Sequence, residues 1–207
     1  MNTKQPDEAH RFLTDPDLTF EQNVISFFSA IHPLDTIDRA GFLLRGVPRP
    51  ESVAAHSHFL SLLVLLFLDR YPDRYDRDKT LTMALIHDLP EAFLMDIPMP
   101  VGDAFLGQAK TKAESGLADS LLAGLDARYR RFFAELQERR TGEARLVAGL
   151  DKAQMMLKIL CYQKTHWGNL EEFWHNPANF RDYGIAEVAA LFDAICAHAG
   201  RKKPRVE

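Results

Sequence analysis

Apolar residues recur at helical spacing through most of this 207-residue chain, and this spacing constrains the fold more than any other feature. In "FEQNVISFFSAI", for example, one side of a helix would carry Val24, Phe27, Phe28 and Ile31. Thr19 and Gln22 resemble a capping box at the start of that helix. No segment alternates apolar and polar residues with period two for long enough to require a strand. The sequence therefore predicts an all-α fold.

Turn signals divide the helical pattern into segments. We predict helices over residues 20–31, 51–68, 78–89, 104–139 (with a break at Gly124), 143–166 and 184–198. Residues 33–50 hold three prolines and two glycines and predict a loop with one short helix, and residues 98–107 predict a second loop. The expected organisation is a polar N-terminal segment (1–18), a single all-α domain (19–200) and a solvated basic tail (201–207).

Charge and cysteine content argue against several classes of protein. The formal net charge of −4 argues against sequence-independent binding to a nucleic acid polymer, which depends on neutralising phosphates. Two cysteines are too few for a disulfide framework. The longest apolar run, residues 59–68, is too short to span a bilayer, and the N-terminus lacks a signal-peptide pattern. We therefore expect a cytoplasmic protein with no membrane partner.

The stretch "ALIHDLPEAFLMDI" places four ionisable side chains in an otherwise apolar segment. His87, Asp88, Glu91 and Asp96 are costly to bury without partners, so they indicate an interior polar cleft. His87 and Asp88 can both reach an ion that lies between them, and Glu91 follows His87 by one helical turn. Pro90 lacks an N–H and is expected to kink or restart the helix. A structural alternative for Asp96 is the capping of a following turn.

Two further polar residues in apolar helices complete a candidate ligand set. His56 lies in "PESVAAHSHFLSLL" and Asp151 lies in "ARLVAGLDKAQMML". Two imidazoles and two carboxylates on three helices suit a borderline or hard divalent ion, and no thiolate is required. The structural alternatives are a core histidine with one satisfied hydrogen bond, His58 facing inward in place of His56, and Asp151 pairing with Lys152 or Arg145.

Four motifs, in this order, resemble the HD-domain phosphohydrolases and, among them, the 5′-deoxynucleotidase branch. They are "PESVAAH", "HDLPEAFLMDIP", "KTKAE" and "EARLVAGLDKAQM", and the resemblance covers about residues 35–175. It implies a single-domain HD-domain helical bundle with the metal site between core helices. It also implies that a divalent ion (Mn, Co, Zn, Ni, Fe or Mg) is held by His56, His87, Asp88 and Asp151.

The same resemblance implies roles for residues around the ion. Glu91 matches the residue that handles the catalytic water or a proton, and Asp96 matches the residue beside the substrate. The stretch "RAGF" resembles an element that contacts phosphate and sugar, which assigns Arg39 to the phosphate and Phe42 to the sugar. Lys112 is a second expected phosphate partner, and its alternative is a lysine on a solvated helix face.

Two departures from the family pattern bear on substrate specificity. Phe42 replaces a tryptophan and therefore offers no indole N–H. Met95 stands where the family has a glycine before Asp-Ile, and this loss is expected to change the backbone near Asp96.

The resemblance implies a homodimeric enzyme that hydrolyses (deoxy)nucleoside 5′-monophosphates to nucleoside and phosphate. One alternative is another HD phosphohydrolase reaction, on a nucleoside triphosphate, a cyclic nucleotide or an alarmone. A second alternative is a nucleotide-binding protein whose catalysis has weakened.

Overall fold

Eleven α-helices run along the residues that the computed structural model describes, which are residue 15 and residues 17–205, without the side chains of 100, 103 and 104. They are α1 (Phe20–Ile31), α2 (Ala40–Leu43), α3 (Val53–Arg70), α4 (Arg77–Ile86), α5 (Glu91–Leu94), α6 (Met99–Val101), α7 (Gln108–Leu121), α8 (Ala127–Glu138), α9 (Gly142–Lys164), α10 (Glu171–His175) and α11 (Ala186–His198). Over this described part, β pairing is limited to one isolated bridge between Asp38 and Ser52, so the predicted all-α class is confirmed. Most of the predicted segment 1–18 lies outside the described residues.

The ends of two predicted helical segments are confirmed by local structure. α1 begins at a capping box, in which the Gln22 N–H donates to Thr19 Oγ1 at 3.3 Å and the Thr19 N–H donates to Gln22 Oε1 at 2.9 Å. The predicted break at Gly124 is also present, because α7 ends at Leu121 and α8 begins at Ala127. Local turn chemistry therefore fixes these boundaries.

Three predictions need correction. α4 ends at Ile86 rather than at residue 89, because Pro90 has no N–H to donate to the Ile86 carbonyl. The predicted loop 98–107 contains α6 and a π-helical turn over Gly102–Leu106. Residues 171–180, for which no helix was predicted, form α10 and a 3₁₀ helix, which are too short to show an apolar stripe.

α9 is the central helix of the bundle and packs against α3, α4, α8 and α11. Gly149 makes one of these contacts close, since a Cβ at this position would lie 3.0 Å from Val188 Cγ1 on α11. A mid-helix glycine costs about 1 kcal/mol relative to alanine, and here it permits the close approach of the two helices. The central position of α9 brings its polar residues toward α3 and the end of α4.

α3 combines a buried face with an exposed apolar face. By length and composition alone it could cross a membrane, but it packs against α4 and α9 as a core helix. Its buried face carries Val53, His56, Leu60, Val64 and Leu68. On its other side, Phe59, Leu62 and Leu66 are exposed.

The start of the basic tail docks on the domain, which corrects the expectation of a wholly solvated segment. Both terminal nitrogens of Arg201 donate to the carboxylate of Glu171, at 2.8 and 2.5 Å, and its guanidinium lies over the ring of Trp174. Lys203 pairs with Asp193 at 2.5 Å. These contacts hold the chain against α10 and α11.

Candidate metal centre and substrate cavity

Two histidine rings face each other at the end of α4. His56 lies in the first turns of α3 and is fully buried, and His87 directly follows Ile86 as the C-cap of α4. Their Nε2 atoms are 3.4 Å apart. The sequence left open whether His56 or His58 faces inward. His56 is buried and His58 is exposed, so His56 is the inward-facing histidine.

The opposite nitrogen of each ring determines which atom is free for a ligand. His56 Nδ1 lies 2.7 Å from Gln154 Oε1, and His87 Nδ1 lies 2.8 Å from the Ala84 carbonyl oxygen. Both neighbours are acceptors, so each Nδ1 carries a hydrogen and donates it. In the neutral rings both Nε2 lone pairs then point into the same space, where a proton or a metal ion must lie between them.

Two carboxylates adjoin this space. Asp88 Oδ2 lies 3.0 Å from His87 Nε2 and 3.7 Å from His56 Nε2, and Asp151 Oδ1 lies 3.0 Å from His56 Nε2. Asp151 also pairs with Lys152 at 3.4 Å. The ion pair considered from sequence as an alternative role for Asp151 is therefore present together with its position beside His56. The structure thus brings together all four residues that the resemblance assigned to the metal.

The arrangement fits a divalent ion. The ligand atoms of His56, His87 and Asp88 lie within 4.8 Å of one another. Ligand atoms about 2.1 Å from one ion are roughly 3.0 to 3.4 Å apart at octahedral to tetrahedral angles. None of the described residues donates a hydrogen bond to the buried Asp88 Oδ2, as expected for an atom that binds a cation. Imidazole and carboxylate ligands without thiolate suit a borderline or hard metal.

The electrostatics of the cluster also favour a cation. Burial raises the pKa of Asp88, but His87, His56 and Arg39 outweigh it and hold that pKa well below its usual range. Burial is likewise outweighed at Asp151, by Lys152 and His56, so its pKa is lowered. Burial lowers the pKa of His87, but Asp88 and Asp151 raise it above its ordinary value. Both carboxylates are therefore ionised, and a divalent ion would replace the His87 proton as the positive charge that balances them.

Glu91 lies beside the cluster as a buried acid. It begins α5, is 6% exposed, and none of the described residues donates a hydrogen bond to its Oε2 atom. Burial, together with the charges of Asp88 and Asp96, raises the pKa of Glu91 to about 10. In the metal-free protein Glu91 is therefore a neutral carboxylic acid near pH 7, with an oxygen facing the cavity.

A cavity of about 360 Å³ opens beside these residues. Asp88, Glu91 and Asp151 line it together with Arg39, Phe42 and Asp96. Arg39 Nη1 lies 3.4 Å from Asp96 Oδ1 and 3.5 Å from Asp88 Oδ2. The cavity therefore holds the cationic, aromatic and acidic groups that the resemblance placed near the substrate.

Two of these side chains are tightly held. Asp96 Oδ2 accepts the Ala40 N–H at 2.5 Å, so it caps the start of α2 while also facing the cavity. Phe42 is 2% exposed and packs edge-on against Tyr162 and at a tilt against Phe173. Its ring lines the wall of the cavity from within the core.

The position of Lys112 differs from the prediction. Lys112 is exposed and is not among the described residues that line the cavity, whereas Lys110 lines it and pairs with Glu114 at 3.3 Å. Both lysines belong to the motif "KTKAE", and helix periodicity places them about 200° apart around α7. The choice between them depended on which face of α7 turns inward, which the short motif did not reveal.

Met95 adopts a backbone conformation that glycine favours. Its φ of 63° and ψ of 170° lie in a region that is essentially restricted to glycine, and its side chain is 57% exposed. The structure therefore places a methionine in a strained, glycine-like conformation directly before Asp96.

Sequence reasoning missed two residues behind His56. Gln154 is 3% exposed and accepts from the His56 ring, and Glu51 is 6% exposed and accepts from the Gln154 amide. Both are polar residues next to motif positions, Glu51 in "PESVAAH" and Gln154 in "LDKAQMM". The available signal was the polarity of Gln154 within an otherwise apolar helix, whereas Glu51 precedes α3 and was marked only by its place in the motif.

This helical bundle, with two histidines and two aspartates converging from α3, the end of α4 and α9, has the architecture of an HD-domain metal site. The chain belongs to the HD domain family, whose model matches residues 31–189.

Relatives and solved structures agree with this membership. The chain is 26% identical over 180 residues to the 5′-deoxynucleotidase HDDC2 of Xenopus laevis, covering 84% of this chain and 86% of that protein. It is 28% identical over 168 residues to the 5′-deoxynucleotidase YBR242W of Saccharomyces cerevisiae, covering 76% of this chain and 68% of that protein. A conserved hypothetical protein from Pyrococcus furiosus superposes with a TM-score of 0.69 at 29% identity, covering 83% of this chain and 98% of that one.

Proposed function

We propose that this protein is a metal-dependent phosphohydrolase that converts (deoxy)nucleoside 5′-monophosphates to nucleoside and phosphate. The observation that carries the proposal is the convergence of His56, His87 and Asp88 on one point at the wall of a cavity that also holds Arg39. The related proteins of Xenopus laevis and Saccharomyces cerevisiae named as 5′-deoxynucleotidases support the substrate class.

The residues of the chain divide the work around the ion. When bound, a divalent ion lowers the pKa of its water and offsets charge on phosphoryl oxygens. The unpartnered oxygen of Glu91 faces the cavity, and Glu91 would accept or return the proton of the attacking water once a bound ion offsets the charge of Asp88, which helps to keep Glu91 protonated in the metal-free protein. Arg39 supplies charged donors to the phosphate, and Lys110 takes the role that the sequence gave to Lys112. Asp96 faces the same cavity as an acceptor for the nucleoside.

Phe42 is the proposed neighbour of the sugar. It is fixed by its contacts with Tyr162 and Phe173, so it presents an apolar wall that cannot donate a hydrogen bond. Such a wall provides no partner for a ribose hydroxyl and leaves that group without compensation for lost water. We therefore propose a preference for deoxynucleotides over ribonucleotides.

We further propose a homodimer in the cytoplasm, with no nucleic acid polymer or membrane as partner. Exposed apolar side chains on α1 and α3 support a dimer, and both helices contact the 3₁₀ helix over His32–Asp35. On α1 these side chains are Phe20, Val24, Ile25 and Phe28. Exposed apolar surface of this kind is typical of contact with another protein surface.

The test is phosphate release from a panel of ribo- and deoxynucleoside 5′-monophosphates, with the metal-free protein refilled by Mn²⁺, Co²⁺, Zn²⁺, Ni²⁺, Fe²⁺ or Mg²⁺ in turn. We expect activity with at least one metal, and its loss in His87→Ala. His58→Ala is the matched control, because His58 is exposed outside the site, and it should keep full activity. A panel without phosphate release under every metal would refute the proposal.

A further inference from the structure

We propose that Gln154 and Glu51 are positioning residues that hold His56 in the one ring state able to bind a metal through Nε2. The inference rests on the metal dependence in the proposed function, but it concerns metal affinity and is tested without turnover. It starts from three buried side chains in a row, with His56 0%, Gln154 3% and Glu51 6% exposed.

The Gln154 amide has two ends, and only one of them suits His56. With Oε1 toward the ring, at 2.7 Å from Nδ1, the amide accepts the Nδ1 hydrogen and leaves the Nε2 lone pair free. With the amide reversed, its NH₂ group would donate to Nδ1. A neutral ring would then carry its hydrogen on Nε2, the atom that must bind the ion.

Glu51 determines which way the amide points. Gln154 Nε2 donates to both carboxylate oxygens of Glu51, at 3.2 and 3.0 Å. A carboxylate only accepts, so a reversed amide would place Gln154 Oε1 against it and leave acceptors facing each other. An unpaired polar group is costly in a buried setting, so the reversed amide is strongly disfavoured.

The carboxylate is itself anchored by the same helix. Lys158 Nζ lies 3.4 Å from Glu51 Oε2, and the backbone N–H of Glu51 donates to the Tyr162 hydroxyl at 2.7 Å. Gln154, Lys158 and Tyr162 follow one another at four-residue spacing and therefore share one face of α9. Asp151 precedes Gln154 by three residues on that face, so one face of α9 supplies a ligand and also orients another ligand.

The test measures Co²⁺ affinity of the purified protein by calorimetry, together with the visible absorption of the bound Co²⁺. Residues that orient metal-ligating histidines typically contribute about 10–100-fold in metal affinity. We expect Gln154→Leu to weaken Co²⁺ binding by about that factor and to alter the absorption bands. Glu51→Leu should act similarly although it does not touch His56.

Conservative and control variants separate orientation from loss of a buried polar group. Glu51→Gln retains an acceptor for Gln154 and should bind Co²⁺ more tightly than Glu51→Leu. Gln154→Asn keeps an amide and replaces Gln154→Leu in the test if the leucine variant does not fold. It should also weaken Co²⁺ binding, because the shorter side chain withdraws the amide oxygen from His56 by about 1.5 Å. Asn23→Leu is the matched control: Asn23 is a buried amide that bonds the Asp15 backbone, and its loss should leave Co²⁺ affinity unchanged.

Unchanged Co²⁺ affinity in Gln154→Leu or Gln154→Asn, in protein shown to be folded by circular dichroism, would overturn the inference. Equal weakening in Asn23→Leu would overturn it too, since the effect would then be one of general stability. Failure of the proposed function would give a different result. The wild-type protein would bind Co²⁺ and the Gln154 and Glu51 variants would bind it more weakly, yet the wild-type protein would release no phosphate from any nucleotide.

Discussion

Replacing Met95 with glycine should stabilise the protein. Met95 has a φ of 63° and a ψ of 170°, a conformation that costs a residue with a Cβ about 1–3 kcal/mol. Glycine adopts it without steric cost but loses roughly 0.5–1 kcal/mol more backbone entropy on folding. The methionine side chain is 57% exposed, so little apolar burial is lost with it. We expect a net gain of about 1 kcal/mol in the free energy of unfolding.

Thermal unfolding of the metal-free protein measures this gain. For a domain of this size, about 1 kcal/mol corresponds to a rise of about 2–4 °C in Tm. Met95→Ala is the matched control, because alanine also removes the long side chain but keeps the Cβ that causes the strain. Met95→Ala should therefore have a Tm at or below that of the wild type.

The reasoning fails if Met95→Gly and Met95→Ala have the same Tm, since the backbone conformation would then carry no strain. It also fails if Met95→Gly lowers the Tm. A comparison of kcat and KM in the same variants shows whether the strained residue influences Asp96, its neighbour in the chain. A shift in KM without a change in Tm would indicate a role in the cavity that is independent of strain.

Three further predictions concern pH, phosphate binding and the C-terminal segment. Because the pKa of Glu91 is raised to about 10, the folded metal-free protein keeps a proton that the unfolded chain releases above about pH 4.5. The free energy of unfolding therefore falls as the pH rises between these two values. Glu91→Gln should raise the Tm over that of the wild type at about pH 8, and much less at about pH 5. Lys110→Ala should raise KM for a nucleoside monophosphate by roughly tenfold or more, while Lys112→Ala leaves it unchanged in the same assay. Arg201→Ala should lower Tm by a few degrees at most, because its exposed ion pair is worth about 1 kcal/mol or less, and high salt should shrink the difference.

The helices and the candidate metal ligands could be predicted because both leave a mark on local sequence. Helical periodicity identified every helix longer than ten residues in the described chain, and the apolar surroundings of His56 and Asp151 made them conspicuous. The choice of His56 over His58 needed the structure, since two residues in succession on a helix differ by about 200° in direction and either can face inward.

Other features depend on tertiary contacts that no single segment encodes. Lys110 rather than Lys112 lines the cavity because of the way α7 packs. The pairing of Glu51 with Gln154 joins positions 103 residues apart in the chain. The sequence showed that Met95 replaces a glycine of the family pattern, but it did not predict the glycine-like conformation. A sequence shows which residue is present and not the torsion angles that it adopts.

The wide spacing of the candidate metal ligands along the chain sets an order of events during synthesis. His56, His87 and Asp88 emerge from the ribosome long before Asp151, and Gln154 follows Asp151 by three residues. Synthesis at about 5–20 residues per second leaves several seconds in which the first three ligands exist without α9. A complete, oriented site therefore exists only after the central helix has been made and packed. An ion that needs all four candidate ligands could therefore bind only late, and a chain truncated before α9 would lack both Asp151 and Gln154, the proposed positioning residue for His56.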